Sequence, residues 1–178
     1  MTRLDLPAPL GAAPADAPPQ HFKEALARLA GGLAIVACWQ DGRPQGLLVS
    51  SITGLSVDPP RYLFCVRREA GAYEALVGAR LCGVSILSTE DEAEAQTFID
   101  PGLRASRFTG PGWKLDPAHP PLLDSGLSAA VCRIEQVIDA GSHAILLAAA
   151  ESLRVTERDP LVAYNRGLRR LEPDVDQD

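Results

Sequence analysis

The apolar positions fall in short runs separated by turn residues. Residues 33–39 (LAIVACW) form a continuous apolar run, too short for a typical helix, and predict a buried strand. Residues 40–44, with Asp41-Gly42 and Pro44, read as a turn. The stretch 46–60 (GLLVSSITGLSVDPP) follows, so the two strands are expected to form an antiparallel hairpin. Residues 61–66 (RYLFCV) and 81–87 (LCGVSIL) predict a third and a fourth strand. Residues 127–138 and 143–155 predict two long strands across a turn at 139–142, and 161–171 a final one.

Three short helices interrupt this pattern. Phe22, Ala25, Leu26 and Leu29 share one face of a helix over 21–30, which Gly31-Gly32 is expected to end. Residues 70–78 predict a second helix, with Tyr73, Leu76 and Val77 on its apolar side. Residues 89–99 predict an acidic third one, capped by Thr89 with Glu92 three positions on, its charges on a solvated face. The loop 100–125, rich in Pro and Gly, is long for a compact domain, which marks it as functional or covering, with Phe108 and Trp113 as its anchors. Together these elements predict a mainly β fold with peripheral helices (α+β): an antiparallel, nearly closed β-barrel. The barrel domain is expected over 20–171, with an extended Pro/Ala-rich arm at 1–19 and a frayed acidic tail at 172–178.

Composition narrows the function. Of 178 residues, 46% are hydrophobic and 22% charged, an ordinary globular balance. A formal net charge of −6 argues against nucleic acid as a partner. No apolar run approaches the roughly 20 residues that span a bilayer, and the N-terminus has no signal-like apolar segment, so a cytoplasmic location with no membrane partner is expected. Cys38, Cys65, Cys82 and Cys132 lie in strand-like segments without CxxC spacing and read as buried reduced thiols. With the three histidines far apart, no metal is expected.

The chemistry concentrates at 46–60. Ser50, Ser51, Thr53 and Ser56 put four hydroxyls within seven residues, which suits a strand laid beside a flat polar ligand. Strand alternation places Ser51 and Thr53 on one face and Ser50 on the other. Asp58-Pro59-Pro60 ends the stretch.

The order of motifs resembles the flavin reductase-like family, with its FMN-binding split-barrel fold. The resemblance rests on Phe22-Lys23-Glu24-Ala25, Leu29 to Gly32, Ser50-Ser51, Ser56 to Pro60 and Cys65. It continues through Phe108, Trp113, Pro121-Leu122-Leu123, Gly141-Ser142-His143, Pro160-Leu161, Tyr164 and Arg166-Gly167. It implies an NAD(P)H-dependent flavin reductase that transfers hydride to FMN or FAD, feeds a partner oxygenase and forms a homodimer. It implies cofactor contacts at Leu33, Val49, Ser50, Ser51, Ile52, Thr53, Ser56 and Cys65. It also places His143 near the flavin and the nicotinamide. The family loop after the third strand is Ser/Thr-rich, whereas here residues 67–72 (RREAGA) carry no hydroxyl. Phosphate binding then falls to Arg67 or Arg68 with the N–H groups of Gly71 and Ala72, and to Arg166. Two other readings stay open: a flavin-binding electron carrier, and a non-enzymatic barrel, which Leu48, Gly54 and the hydroxyl-free loop favour. No motif chooses between FMN and FAD or between NADH and NADPH.

Overall fold

The structure, a computed structural model, describes residues 18–171. The expected arm, apart from Pro18 and Pro19, and the expected tail 172–178 lie outside the described residues.

Strand β2 (Ala34–Gln40) shows where the core forms and why. Ala34, Val36 and Cys38 enter one buried cluster with Phe64, Leu76, Val84 and Leu146. Ile35 and Ala37 enter a second cluster with Phe98, Trp113, Leu123 and Leu161. Side-chain alternation divides one strand between two cores, so both of its faces must be apolar. Burying each large side chain contributes about 1.5–3 kcal/mol.

The main sheet is antiparallel throughout. In chain order its strands are β2, β3 (Arg43–Val49), β4 (Ile52–Ser56), β5 (Arg61–Arg67), β6 (Leu81–Ile86), β9 (Ser128–Ala140) and β10 (His143–Val155). Their spatial order is β3-β2-β6-β9-β10-β5-β4. The first cluster gathers side chains from every one of these strands, so it fills the concave side of a curled sheet. Between β6 and β9 the covering loop contributes the small ribbon β7 (Trp113–Lys114) and β8 (Leu122–Leu123). The mainly β, split-barrel fold expected from the sequence is the fold observed.

The expected single strand at 46–60 is two. β3 and β4 are consecutive in the chain yet form opposite edges of the sheet, and the chain crosses between them at Ser50-Ser51. Ser51 makes the crossing stable: its Oγ donates to Cys65 O (3.2 Å) and accepts from Cys65 N (3.3 Å), replacing a ladder contact with β5. The turn before β3 is tighter than expected. Asp41 and Gly42 both have positive φ (51° and 72°), the two-residue turn that suits strand twist. Pro44 lies inside β3, where an edge strand tolerates its missing N–H.

The helices differ from expectation in instructive ways. Helix α1 (Pro19–Ala27) ends before the glycine pair, and Gly31-Gly32 instead forms β1, paired with β11 (Leu161–Tyr164). The apolar side chains of Phe22, Leu26 and Leu29 stay exposed in this chain. Helix α2 (Tyr73–Gly78) is not peripheral: Tyr73, Ala75 and Leu76 pack into the concave cluster. The acidic helix begins one residue early, as a 3-10 turn capped by Ser88 that leads into α3 (Glu92–Ile99). Asp91 of its acidic run is buried rather than solvated. It accepts from Ser88 N (2.8 Å), Ser88 Oγ (2.6 Å) and Ser125 Oγ, so the carboxylate joins the helix start to the loop before β9. The expected last strand is the hairpin β11–β12 (Gly167–Arg170), turned by Asn165 and Arg166 with φ of 50° and 60°.

Candidate functional site

A cleft of about 790 Å³ opens where the barrel is split. One wall is the edge strand β3, from Pro44 to Val49, continued by Ser50 and Ser51. An edge strand turns alternate N–H and C=O groups away from its neighbour, so this wall offers backbone donors and acceptors. The opposite wall is Cys65 and Arg67 of β5, the loop 69–72 and His143. Register explains the last neighbour: His143 opens β10 directly opposite Arg67. The third side is Phe98 of α3 with Pro101, Arg104, Arg107 and Phe108 of the covering loop.

Aromatic packing holds that loop in place. Phe108 lies 5.4 Å from Phe98 and 4.5 Å from Trp113, centroid to centroid, and Trp113 Nε1 donates to Glu94 Oε1 at 2.7 Å. Arg107 donates to the α3 carbonyls of Thr97 (2.9 Å) and Phe98 (3.1 Å) and lies over the Phe98 ring. Burial, and then the neighbouring charge of Arg104, hold its pKa below the ordinary guanidinium value.

The structure brings together at the cleft Val49, Ser50, Ser51, Cys65, Arg67, Gly71, Ala72 and His143. The His143 ring is oriented by Ser142, whose Oγ is 2.9 Å from Nδ1, which leaves Nε2 available to a ligand. Arg67 is paired with Glu69 at 2.5 Å. Other sequence-named residues lie elsewhere. Leu33 is buried in the second cluster, and Ile52 packs against the first. Thr53 and Ser56 are on β4, carried to the far edge by the crossing at Ser50-Ser51, and Ser56 Oγ donates to Pro59 O. Arg68 binds Asp139 (2.7 Å) and Gly141 O (2.6 Å), clamping β5 to the β9–β10 turn. That contact holds the Asp139 carboxyl below the usual carboxylate range, chiefly through the Arg68 hydrogen bond. Arg166 stands at the tip of the β11–β12 hairpin. Arg104, Arg107 and Phe98 were not legible as site residues from spacing. The signal present was the unusual length of the loop 100–125.

The cysteines divide in the same way. Burial pushes Cys38 up to about 11 and Cys132 up to about 12, and raises Cys82 as well. Cys65 is half-buried and lines the cleft. A thiol reagent at neutral pH is therefore expected to titrate one thiol quickly in the native protein and all four after denaturation. Rapid reaction of two or more native thiols would contradict the buried placement of the other three.

Comparison with known proteins agrees with this geometry. The family model described as "Flavin reductase like domain" matches residues 26–172. The chain is 30% identical over 159 residues to the reductase subunit HsaB of a flavin-dependent monooxygenase from Rhodococcus jostii, covering 88% of this chain and 80% of that one. It is 31% identical over 159 residues to the FMN reductase (NADH) RutF 2 of Methylorubrum extorquens, covering 88% and 92%. The crystal structure of BorF, the flavin reductase component of a bacterial two-component tryptophan halogenase, superposes with a TM-score of 0.77 at 25% identity, covering 86% of this chain and 98% of that one. The match runs from the end of α1 past β12 and takes in the whole cleft, and on that ground the chain belongs to the flavin reductase-like domain family.

Proposed function

We propose that this chain is an NAD(P)H-dependent flavin reductase that transfers hydride from a nicotinamide to FMN or FAD and supplies the reduced flavin to a partner monooxygenase. The observation that carries this reading is the cleft itself, where a strand edge unpaired among the described residues, aromatic rings and arginines surround one space. The names of the two relatives, one an FMN reductase (NADH) and one a monooxygenase reductase subunit, support it.

The residues present fit such a group. A flavin has a flat ring with a hydrogen-bonding edge and an anionic tail. The open edge of β3 and the Ser50 hydroxyl suit the edge, Leu47, Val49 and Phe108 suit the ring, and the arginines suit the phosphate. The cleft volume falls in the range usual for cofactor sites. When bound, the flavin supplies the hydride-accepting ring and the nicotinamide the hydride. The chain's share is orientation, electrostatics and exclusion of water. The β3 backbone and Ser50 would orient the ring, while Ser51, already bonded to Cys65, fixes the position of that backbone. Phe98 and Phe108 keep water from the third side. His143 Nε2, without a partner among the described residues, could hydrogen-bond where negative charge develops.

The test is nicotinamide oxidation with NADH and NADPH against FMN, FAD and riboflavin. Oxidation that depends on added flavin is expected. A colourless protein that binds neither FMN nor FAD and oxidises no nicotinamide would sink the reading and favour the non-enzymatic barrel. The same assembly is proposed to be a cytoplasmic homodimer. Support comes from α1, whose exposed Phe22 and Leu26 form an apolar stripe that a second copy would cover. Among the described residues no helix is long and apolar enough to cross a membrane. Sedimentation at the monomer mass of 18.9 kDa would refute the dimer.

A further inference from the structure

Four arginines lie in or beside the cleft, and three of them make side-chain hydrogen bonds or ion pairs. Arg67 faces the Glu69 carboxylate, Arg68 faces Asp139 and the Gly141 carbonyl, and Arg107 faces the carbonyls of Thr97 and Phe98. Arg104 makes no side-chain hydrogen bond or ion pair with any of the described residues. It rises from the 3-10 segment Pro101–Ser106, and the end of its guanidinium reaches Gly71. A Cβ at position 71 would sit 3.0 Å from Nη2, 3.7 Å from Cζ and 3.8 Å from Nη1. The bare backbone of Gly71 thus makes room for a charged group delivered from a loop more than thirty residues away in the chain.

The backbone beside that group offers donors to an anion. The loop 67–72 has no hydroxyl. Ala70 N and Tyr73 N donate to Arg67 O and Ala70 O, but the N–H groups of Gly71 and Ala72 have no acceptor among the described residues. Arg104 and Arg107 both line this side of the cleft, and Arg104 is the one whose guanidinium has no acceptor among the described residues. A bound anion would satisfy these donors.

We propose that Arg104 is the residue that reads the 5′-phosphate of the flavin, holding it together with the N–H groups of Gly71 and Ala72. The covering loop then supplies the recognition that a hydroxyl-rich loop after β5 would otherwise give. The shared chemistry is the phosphate next to the ribityl chain, a monoester in FMN and part of a diphosphate in FAD. The assignment rests on the flavin reading proposed above.

Fluorescence titration of the purified full chain with FMN, FAD and riboflavin, without nicotinamide, tests it by binding alone. The unsubstituted protein is expected to prefer FMN to riboflavin. Arg104→Ala is expected to weaken FMN and FAD about tenfold and riboflavin less than about twofold, the loss of one charge-assisted contact at an open site. Arg104→Lys, which keeps the charge but not the fork, is expected to retain most of the FMN affinity. Gly71→Ala leaves the fold intact, because its Cβ meets only the end of a flexible side chain. It is expected to weaken FMN binding in the parent protein and to add nothing in the Arg104→Ala background. Equal losses for FMN and riboflavin, or no loss for FMN, would overturn the assignment. A loss confined to FAD would also overturn it, since it would move Arg104 to the distal phosphate. If the unsubstituted protein binds no flavin at all, the functional reading itself has failed. If it binds and discriminates, and Arg104→Ala discriminates equally, only the phosphate assignment has failed.

Discussion

Alanine at Gly83 is expected to destabilise the protein by about 3 kcal/mol or more, the upper end of overpacking costs. For a chain of this size that lowers Tm by roughly 6–12 °C. Gly83 sits within β6, opposite Ala37 of β2 and Val131 of β9, so its backbone cannot move without breaking two ladders. The covering loop crosses directly over it. A Cβ there would stand 2.1 Å from Pro121 O and 2.8 Å from Leu122 Cδ2. The first is a backbone atom, and the next residues are tied down, since Leu123 N donates to Ser85 Oγ at 2.9 Å and Leu123 is buried in the second cluster. Relief is available only by lifting the β7–β8 ribbon, which exposes Trp113 and Leu123. Gly54 is the control: it lies in the edge strand β4, and a Cβ there meets nothing within 4 Å. Thermal melts of Gly83→Ala and Gly54→Ala compare the two. Equal Tm values would show that the loop does not press on β6 as described.

Alanine at His143 is expected to lower turnover roughly tenfold to a hundredfold while changing the flavin Kd less than about threefold. His143 lies at the rim of the cleft, with Nδ1 engaged by Ser142 Oγ, so the ring contributes one nitrogen to whatever is bound. A single half-buried ring adds little to affinity where β3, Cys65 and the aromatic side supply most of the contact area. It can still matter for rate, because its ring would hydrogen-bond where negative charge develops in the transition state. Steady-state nicotinamide oxidation gives turnover, and fluorescence titration gives Kd. Lost affinity with unchanged turnover would refute the role. Ser142→Ala, which frees the ring without removing it, is expected to show a smaller fall in the same direction.

Some of the site was legible before any fold was known. Ser50, Ser51, Cys65 and His143 stand in the order of a family pattern, and the cleft contains them. Thr53 and Ser56 share the hydroxyl chemistry of Ser50 but lie on the other edge of the sheet. Alternation says which face a side chain takes within one strand. It carries no information on whether the strand continues, and at Ser50-Ser51 it does not. Arg68 and Arg104 are equally basic in sequence. One is spent on Asp139 and the other is left over Gly71, a difference set by neighbours 71 and 33 residues away.

By itself the sequence determined the local and two-sided features. The run LAIVACW had to be covered on both faces, Asp41-Gly42 and Gly141 had to turn the chain where φ is positive, and the ordered motifs assigned the family. Each of these depends on residues close together in the chain, where backbone sterics and side-chain polarity act directly. The tertiary structure alone decided that β3 and β4 are opposite edges, that α2 packs into the barrel while the apolar face of α1 stays outside, and that Arg104 reaches Gly71. Those outcomes depend on which distant segments close on one another, a choice made by packing the whole core.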